Sequence, residues 1–390
     1  MAAHHAAVTP AKGEPFEVRT RPTPKPGPGE LLIQVKSVAL NPADHLMRDQ
    51  GIFIPTYPTV IGFDISGLVL EVGENVPIDD ADGRSGPFFQ PGITRVAAYA
   101  ASFWNSYTAD YGAFQERCLV PWQHAVPLPN EGISWNQAAT LPVAVQVPLS
   151  AWDAMGLLRV PDTASSSLAS VASTGHDAAG KDQNKEISKK DAILVWGASS
   201  SVGTMGVQTA RLLREDHNSS VAAVYAVAGA ANQEYVGSLG ADRVFDYKDP
   251  YVVGQIVSAA KESHLSIRKC FLATGHLATC QAVLKAFLSD DEGRRNETAK
   301  IASAPVIPPN AEEVEGLETI FLMPSADERQ RLTQFRYWMG EFLMENLANG
   351  SLRPSPKPTV VGKGLDAINS GLDMLLQGVS CTKLVVEVTE

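Results

Sequence analysis

The segment Asp191–Leu213 constrains the fold of this chain more than any other. Ala192–Trp196 is an uninterrupted apolar run, the composition of a strand buried on both faces of a parallel sheet. It breaks at Gly197 into small residues, and from Val202 the period changes, with Val202, Met205, Gly206, Thr209, Ala210 and Leu213 recurring at helical spacing. Strand, tight turn and helix together present free backbone N–H groups and a positive dipole end where small side chains allow close approach. That combination suits a dinucleotide pyrophosphate, although the fingerprint is degenerate. Aligned on Val202-Gly203, the G-x-G-x-x-G positions are Ala198, Ser200 and Gly203, so only the third is glycine. Ser199, Ser200, Ser201, Val202 and Gly203 are the candidate phosphate-binding residues.

Downstream of this turn, strands and helices alternate as in a doubly wound parallel sheet. Strands are expected at Val221–Val227, Arg243–Phe245, Lys269–Ala273 and near Lys300–Ala304, and helices at Asn232–Leu239, Tyr251–Lys261 and Thr279–Leu288. Upstream the texture differs. A proline-rich approach, Arg21–Glu30, leads into a half-buried strand at Leu31–Leu40, and Asp64–Val72, Arg95–Ala100 and Ala113–Val120 read as further short strands of a small barrel or sandwich. Helices are expected at Trp135–Leu141, with Ser134 as N-cap, and at Val147–Leu158. Residues 161–190 lack periodicity and large apolar side chains and read as a mobile surface insertion. The chain then closes with helices at Gln334–Ala348 and Leu365–Leu376 and a strand at Lys383–Val388.

At 390 residues two domains are expected. A net charge of −11 argues against nucleic acid or an anionic membrane as partner, because both need a cationic face. Cys118, Cys270, Cys280 and Cys381 show no C-x-x-C spacing, which fits a reducing compartment, and no run is long and apolar enough to span a membrane. With a start lacking a basic and an apolar signal region, a cytoplasmic protein is expected.

The order of motifs resembles that of the medium-chain dehydrogenase/reductase superfamily. The matching segments are Pro28–Lys36, Asn41-Pro42-Ala43-Asp44, Gly62-Phe63-Asp64-Ile65-Ser66-Gly67, Tyr111-Gly112-Ala113-Phe114, Ala138-Ala139-Thr140-Leu141-Pro142, Ser238–Asp242, Val244–Tyr247 and Val361–Leu365. They are collinear with the family over nearly the whole chain, excepting 161–190. Within the superfamily the chain is similar to the zinc-free quinone reductase-like and enoyl reductase-like branch, and to the stand-alone enoyl reductases and toxin-cluster reductases of fungal secondary metabolism.

This resemblance implies an α/β fold made of a GroES-like β-barrel catalytic domain, 1–150 with 340–390, and a Rossmann cofactor domain, 151–339. It implies a cleft where a nicotinamide meets a substrate, and reduction of an activated C=C by NADPH. The cofactor contacts it implies are Asp44, His45, the Ser199–Gly203 turn, Gly229, Ala230, Ala231, Asn232, Tyr247, Val379 and Ser380, with Thr140 and Val143 toward the substrate. Zinc-dependent relatives carry a cysteine at the position of Asn41, a His-Glu pair at Phe63-Asp64 and a second cysteine near Leu141–Ala144. Those ligands are missing from this sequence, so no metal is expected, and His45 and His124 read as surface or hydrogen-bonded histidines.

The strand Val221–Val227 runs into Ala228–Asn232 with no carboxylate before Glu234, an environment that favours NADP(H) over NAD. Related enzymes often have Ser-Pro-x-Asn here, of which only Asn232 is kept, and the first cations that follow are Arg243 and Lys248. The lysine that related enoyl reductases place two residues after Asp44 is Leu46, and a tyrosine of the mitochondrial type is Phe53, so no catalytic side chain is assigned; Tyr57 and His45 lie nearby. Hydride transfer to an enoyl thioester or enone needs only orientation, an oxyanion donor and a proton, which backbone N–H groups and water can supply. The expected substrate is a small-molecule or carrier-bound enoyl group, with a polyketide synthase as candidate partner and the protein a monomer or homodimer. Two other readings stand: a quinone or alkenal reductase, and a nucleotide- or partner-binding protein of the same fold without turnover.

Overall fold

The computed structural model describes residues 2–79, 86–158, 160, 189–288 and 297–389. The insertion expected at 161–190 lies, from 161 to 188, outside the described residues. The chain forms two compact units, the first comprising Met1–Val147, Ser199–Met205 and Pro324–Glu390, the second Pro148–Ala198 and Gly206–Met323. The sequence leads to divisions at 150 and 340; by compactness Ser199–Met205 and Pro324–Met339 group with the first unit.

The chain opens with a hairpin that the sequence pattern does not announce, β1 (Ala3–Val8) antiparallel to β2 (Glu17–Pro22). β3 (Glu30–Ala39) is followed by α1 (Pro42–Gln50), then β4 (Asp64–Val72), β5 (Arg95–Tyr99), β6 (Arg117–Pro121) and β7 (Ala125–Pro127). The strand expected at Ala113–Val120 is thus confined to its second half. Here Ala113 and Phe114 instead hydrogen-bond through their N–H groups to Gly62 and Ile61, outside any ladder. α2 (Trp135–Ala139) is capped by Ser134, whose hydroxyl accepts the Gln137 N–H at 3.2 Å, and α3 is Pro142–Ala154.

The second unit carries β8 (Asp191–Trp196), α4 (Ser201–Glu215), β9 (Val221–Val227), α5 (Gln233–Ser238), β10 (Arg243–Phe245), α6 (Val252–Glu262), β11 (Ser266–Leu272), α7 (Leu277–Lys285), β12 (Ala299–Ser303) and β13 (Leu317–Phe321). The strands form one parallel sheet in the order β10-β9-β8-β11-β12-β13, the doubly wound order whose switch point adjoins β8. All six residues of β8 are buried, as its unbroken apolar run requires.

Alternation along the strands assigns the helices to faces. Leu194, Trp196, Cys270 and Leu272 share a core with Ile256, Ala260, Val283 and Leu284 of α6 and α7. Phe271 and Val195, pointing the other way, meet Gly206 of α4. A Cβ at Gly206 would come within 2.8 Å of the Phe271 ring, so close contact of helix with sheet depends on this glycine. Trp152 packs edge-on against Phe271 at 5.7 Å and donates its indole N–H to Thr209 Oγ1 at 2.8 Å.

Returning to the first unit, the expected helix Gln334–Ala348 is a composite of α8 (Glu328–Phe335), a π-helical stretch (Arg336–Leu343) and α9 (Met344–Ala348). β14 (Pro358–Lys363), α10 (Ala367–Leu376) and β15 (Lys383–Glu387) follow. The sheet of this unit runs β14-β15-β3-β4-β5-β7, with β6 on β3, around a core that includes Leu31, Ile33, Ile65, Phe89, Phe114 and Leu384. Gly206→Val should overpack the second unit and lower stability by about 1–3 kcal/mol. Thermal unfolding checks this, and Phe271→Leu in the same chain should restore part of the loss; an unchanged midpoint in the single variant would contradict the contact.

Candidate functional site

In the first unit a polar cluster is built where three segments of the barrel meet. Asp64 opens β4 opposite Ala39, and β15 places Val385 opposite the same Ala39, so Asp64 and Lys383 flank the end of β3 just before Asn41. Lys383 Nζ lies 3.0 Å from Asp64 Oδ2 and donates to Asn41 Oδ1 at 2.5 Å. Asn41 Nδ2 donates to Asp64 Oδ2 at 3.0 Å, and the other Asp64 oxygen accepts the Val143 N–H at 2.7 Å. Asp64 is fully buried and Lys383 is 4% exposed, so water screens little of this pairing.

Asp44, the third residue of α1, is also fully buried, and its Oδ2 accepts the Asn41 N–H at 2.7 Å, while Oδ1 has no partner among the described residues. Burial pushes its carboxyl up to about 7, and the nearby Asp64 charge adds to this against the pull of the Asn41 hydrogen bond and Lys383. The ammonium lies within bonding distance of Asp64 and not of Asp44, whose carboxyl is therefore the one pushed toward neutrality.

Other residues expected from the sequence lie at varied depths. Asp44 is sealed inside by its bond to Asn41, whereas His45 is half-buried with Nδ1 3.8 Å from Asp49 Oδ2. Thr140 is buried with its hydroxyl donated to Gln137 O at 2.7 Å, and Val143 is half-buried and bound through its N–H to Asp64. Val379 and Ser380 are exposed. His124 is a buried core histidine, Nδ1 donating to Tyr99 O at 3.3 Å and the ring stacked on Phe335 at 4.0 Å; burial lowers its pKa to about 3. Phe53 is half exposed with a left-handed φ of 64°, and the Tyr57 hydroxyl is buried without a partner among the described residues. Lys383, the cation of the cluster, escapes sequence reasoning; the signal is a lysine heading the apolar run Leu384–Val386.

In the second unit, the carboxyl ends of β8 and β9 lie side by side, Trp196 opposite Val227, and both Gly197 N–H and Ala198 N–H donate to Val227 O at 3.1 and 2.9 Å. Gly197 has φ 77°, and a Cβ there would lie 2.5 Å from Thr274, so no other residue fits this turn. In the Ser199–Met205 segment, which belongs to the first unit, Ser200 Oγ accepts the Gly203 N–H at 3.1 Å and closes the first turn of α4. Past β9, Gly229 is half-buried and Ala230 and Ala231 are exposed, and beyond β10 the Tyr247 ring lies against Gly229, where a Cβ would come 3.3 Å from Tyr247 Cε1. Small, exposed residues with no carboxylate between Ala228 and Gln233 fit a nucleotide at this edge.

The state of Asp44 has a measurable consequence. The folded carboxyl holds its proton to about pH 7, whereas an unfolded aspartate releases it at about 3.9. The folded state binds more protons in that window, so stability falls as pH rises through it and is flat above. Asp44→Asn keeps an acceptor for the Asn41 N–H and should flatten the curve. Urea unfolding between about pH 5 and about pH 8 reads it, and identical pH profiles for the two proteins would refute the assignment.

Comparison with known proteins places these features. Residues 27–130 match the alcohol dehydrogenase GroES-like domain. The chain is 36% identical to the trans-enoyl reductase tndF of Aspergillus flavipes over 98% of each chain, and 36% identical to the trans-enoyl reductase tazE of Aspergillus terreus over 86% of this chain and 97% of that one. Among solved structures, the CurK enoyl reductase superposes with a TM-score of 0.68 at 14% identity, covering 99% of each chain. The quinone oxidoreductase of Coxiella burnetii does so with a TM-score of 0.64 at 16% identity, covering 100% of each, and these two likenesses speak to fold alone. The chain belongs to the medium-chain dehydrogenase/reductase superfamily, an oxidoreductase fold of a GroES-like unit and a Rossmann unit, and its sequence relatives there include trans-enoyl reductases.

Proposed function

We propose that this protein is an NADPH-dependent, metal-independent reductase of an activated C=C bond in an enoyl thioester or enone. It acts in the cytoplasm on a carrier-bound polyketide intermediate, with a polyketide synthase as partner. The observation that carries the reading is the donor set at Asn41, Asp64 and Val143, the segments where zinc-dependent relatives place their ligands. Here an amide, a carboxylate and a backbone N–H are bound to one another, and the Lys383 ammonium already neutralises Asp64. Among the described residues no group of three or more His, Cys, Asp or Glu side chains is placed to hold an ion. The names of tndF and tazE supply the enoyl group.

A bound nicotinamide supplies the hydride. The chain's own contribution is to hold it, through the Ser199–Gly203 turn, Gly229–Asn232 and Tyr247, and to leave the developing oxyanion to backbone N–H groups, with the proton drawn from water. Neither of these carboxylates is open to give the proton, because Asp44 is enclosed and Asp64 is spent on Lys383.

Purified protein should oxidise NADPH when given an enoyl thioester of pantetheine, and a chelator should leave the rate unchanged. Oxidation with a quinone but with no enoyl thioester would shift the assignment to a quinone reductase, and no turnover with either would make this a binding protein. For the cofactor itself, Ala230→Asp should weaken NADPH by about ten- to a hundredfold, through a carboxylate set near the 2′-phosphate, while NADH binds as before or better. Nicotinamide fluorescence titration measures it. Equal affinity of the unaltered protein for both nucleotides would remove the NADP assignment.

A further inference from the structure

A cation at an NADP-binding edge attracts the 2′-phosphate, and none lies in Ala228–Asn232. Arg243 and Lys248 are the nearest in sequence, and the sheet separates them. Arg243 sits opposite Tyr225, two residues before the end of β9, whereas Phe245 is opposite Val227, so the chain leaves the sheet beyond β10 at the same edge as Gly229. Only Lys248 is on that edge.

We infer that Lys248, standing over the Tyr247 ring that lies against Gly229, is the residue that recognises the 2′-phosphate of NADPH. This rests on the NADP reading proposed above. The Tyr247 ring is 52% exposed, and Lys248 Nζ lies 5.9 Å from its centroid. One edge of the ring touches Gly229, where any Cβ would crowd Cε1 at 3.3 Å, so the glycine is what lets the ring come this close to the end of β9. The Lys248 N–H donates to Asp246 Oδ1 at 3.0 Å, which fixes the turn carrying the side chain. Among the described residues no carboxylate pairs with the Lys248 ammonium.

The surrounding charges are otherwise negative. Asp249 accepts the Tyr251 N–H and the Gln255 amide, and Glu234 is exposed on α5. With Asp246, these three carboxylates repel a dianion, so the Lys248 ammonium, which no carboxylate pairs among the described residues, decides whether a phosphate is tolerated beside the ribose. Because Lys248 is exposed, its attraction is screened by salt.

The test titrates nicotinamide fluorescence with NADPH and NADH in the unaltered protein, Lys248→Ala and Lys248→Arg, with 2′,5′-ADP and 5′-AMP as competitors. Lys248→Ala should weaken NADPH and 2′,5′-ADP by roughly five- to twentyfold and leave NADH and 5′-AMP within about twofold. Lys248→Arg should restore most of the difference, and added salt should narrow the NADPH advantage of the unaltered protein but not of Lys248→Ala. If the unaltered protein prefers NADPH and Lys248→Ala keeps that preference, the inference fails while the cofactor reading stands. If the unaltered protein shows no preference for the 2′-phosphate, both fail. Unfolding midpoints of the variants should match, since the side chain packs against no core.

Discussion

The first unit depends on one ammonium held among oxygen atoms away from water. Lys383 is 342 residues from Asn41 in the chain, yet its Nζ binds both Asn41 Oδ1 and Asp64 Oδ2. The C-terminal strand must therefore return to β3 before Asp64 is compensated, and a fold that left β15 off the sheet would bury a bare carboxylate. Removing one partner of such a pair costs about 3–5 kcal/mol, far more than an exposed pair. The pair is thus a condition on topology. Asp64 in turn accepts the Val143 N–H, so the same carboxylate anchors the start of α3.

That arrangement also explains why Asp44 differs from Asp64. Both are fully buried, but only Asp64 has the ammonium within bonding distance, and among the described residues no second cation joins the cluster. A further negative charge in this space would be uncompensated, so it is the cheaper course for Asp44 to stay protonated and serve α1 through Oδ2 alone. One asymmetry of position, the ammonium beside Asp64 and none beside Asp44, leaves burial to raise the Asp44 carboxyl.

How much of this could be read from the sequence differs between the units. The second is legible because its central strands β8 and β9 are compact apolar runs, Ala192–Trp196 and Val221–Val227, and the helices between strands return at the proper period. Its last strand, β13, was not, since Leu317–Phe321 is only partly buried and carries Glu318 and Thr319. In the first unit the β1–β2 hairpin is hidden for the same reason: β2 reads Glu-Val-Arg-Thr-Arg-Pro and is largely exposed, so no apolar face marks it. α1 is invisible to periodicity because Asp44 and Arg48 are buried on its inner face beside Met47. The polar cluster is legible only in part. Asn41 and Asp64 stand out through the family motifs, whereas Lys383 can be identified as their partner only once β15 is seen beside β3.

The close fit of the second unit limits where its nucleotide edge can vary. Gly197 is held by a left-handed φ and by Thr274, and Gly206 by the Phe271 ring, so both glycines answer to packing inside the unit and neither can respond to a change of ligand. The degenerate fingerprint then makes physical sense. The sheet demands Gly197 and Gly206, while Ala198 and Ser200 satisfy the turn with small side chains: Ala198 N–H is tied to Val227 O and Ser200 Oγ to the Gly203 N–H. Freedom remains beyond β9 and β10, where Ala230, Ala231, Tyr247 and Lys248 are exposed and bear on no core. On the proposed reading of this edge as the nucleotide site, discrimination between nucleotides can therefore change there by single substitutions without disturbing the strand order that creates the edge.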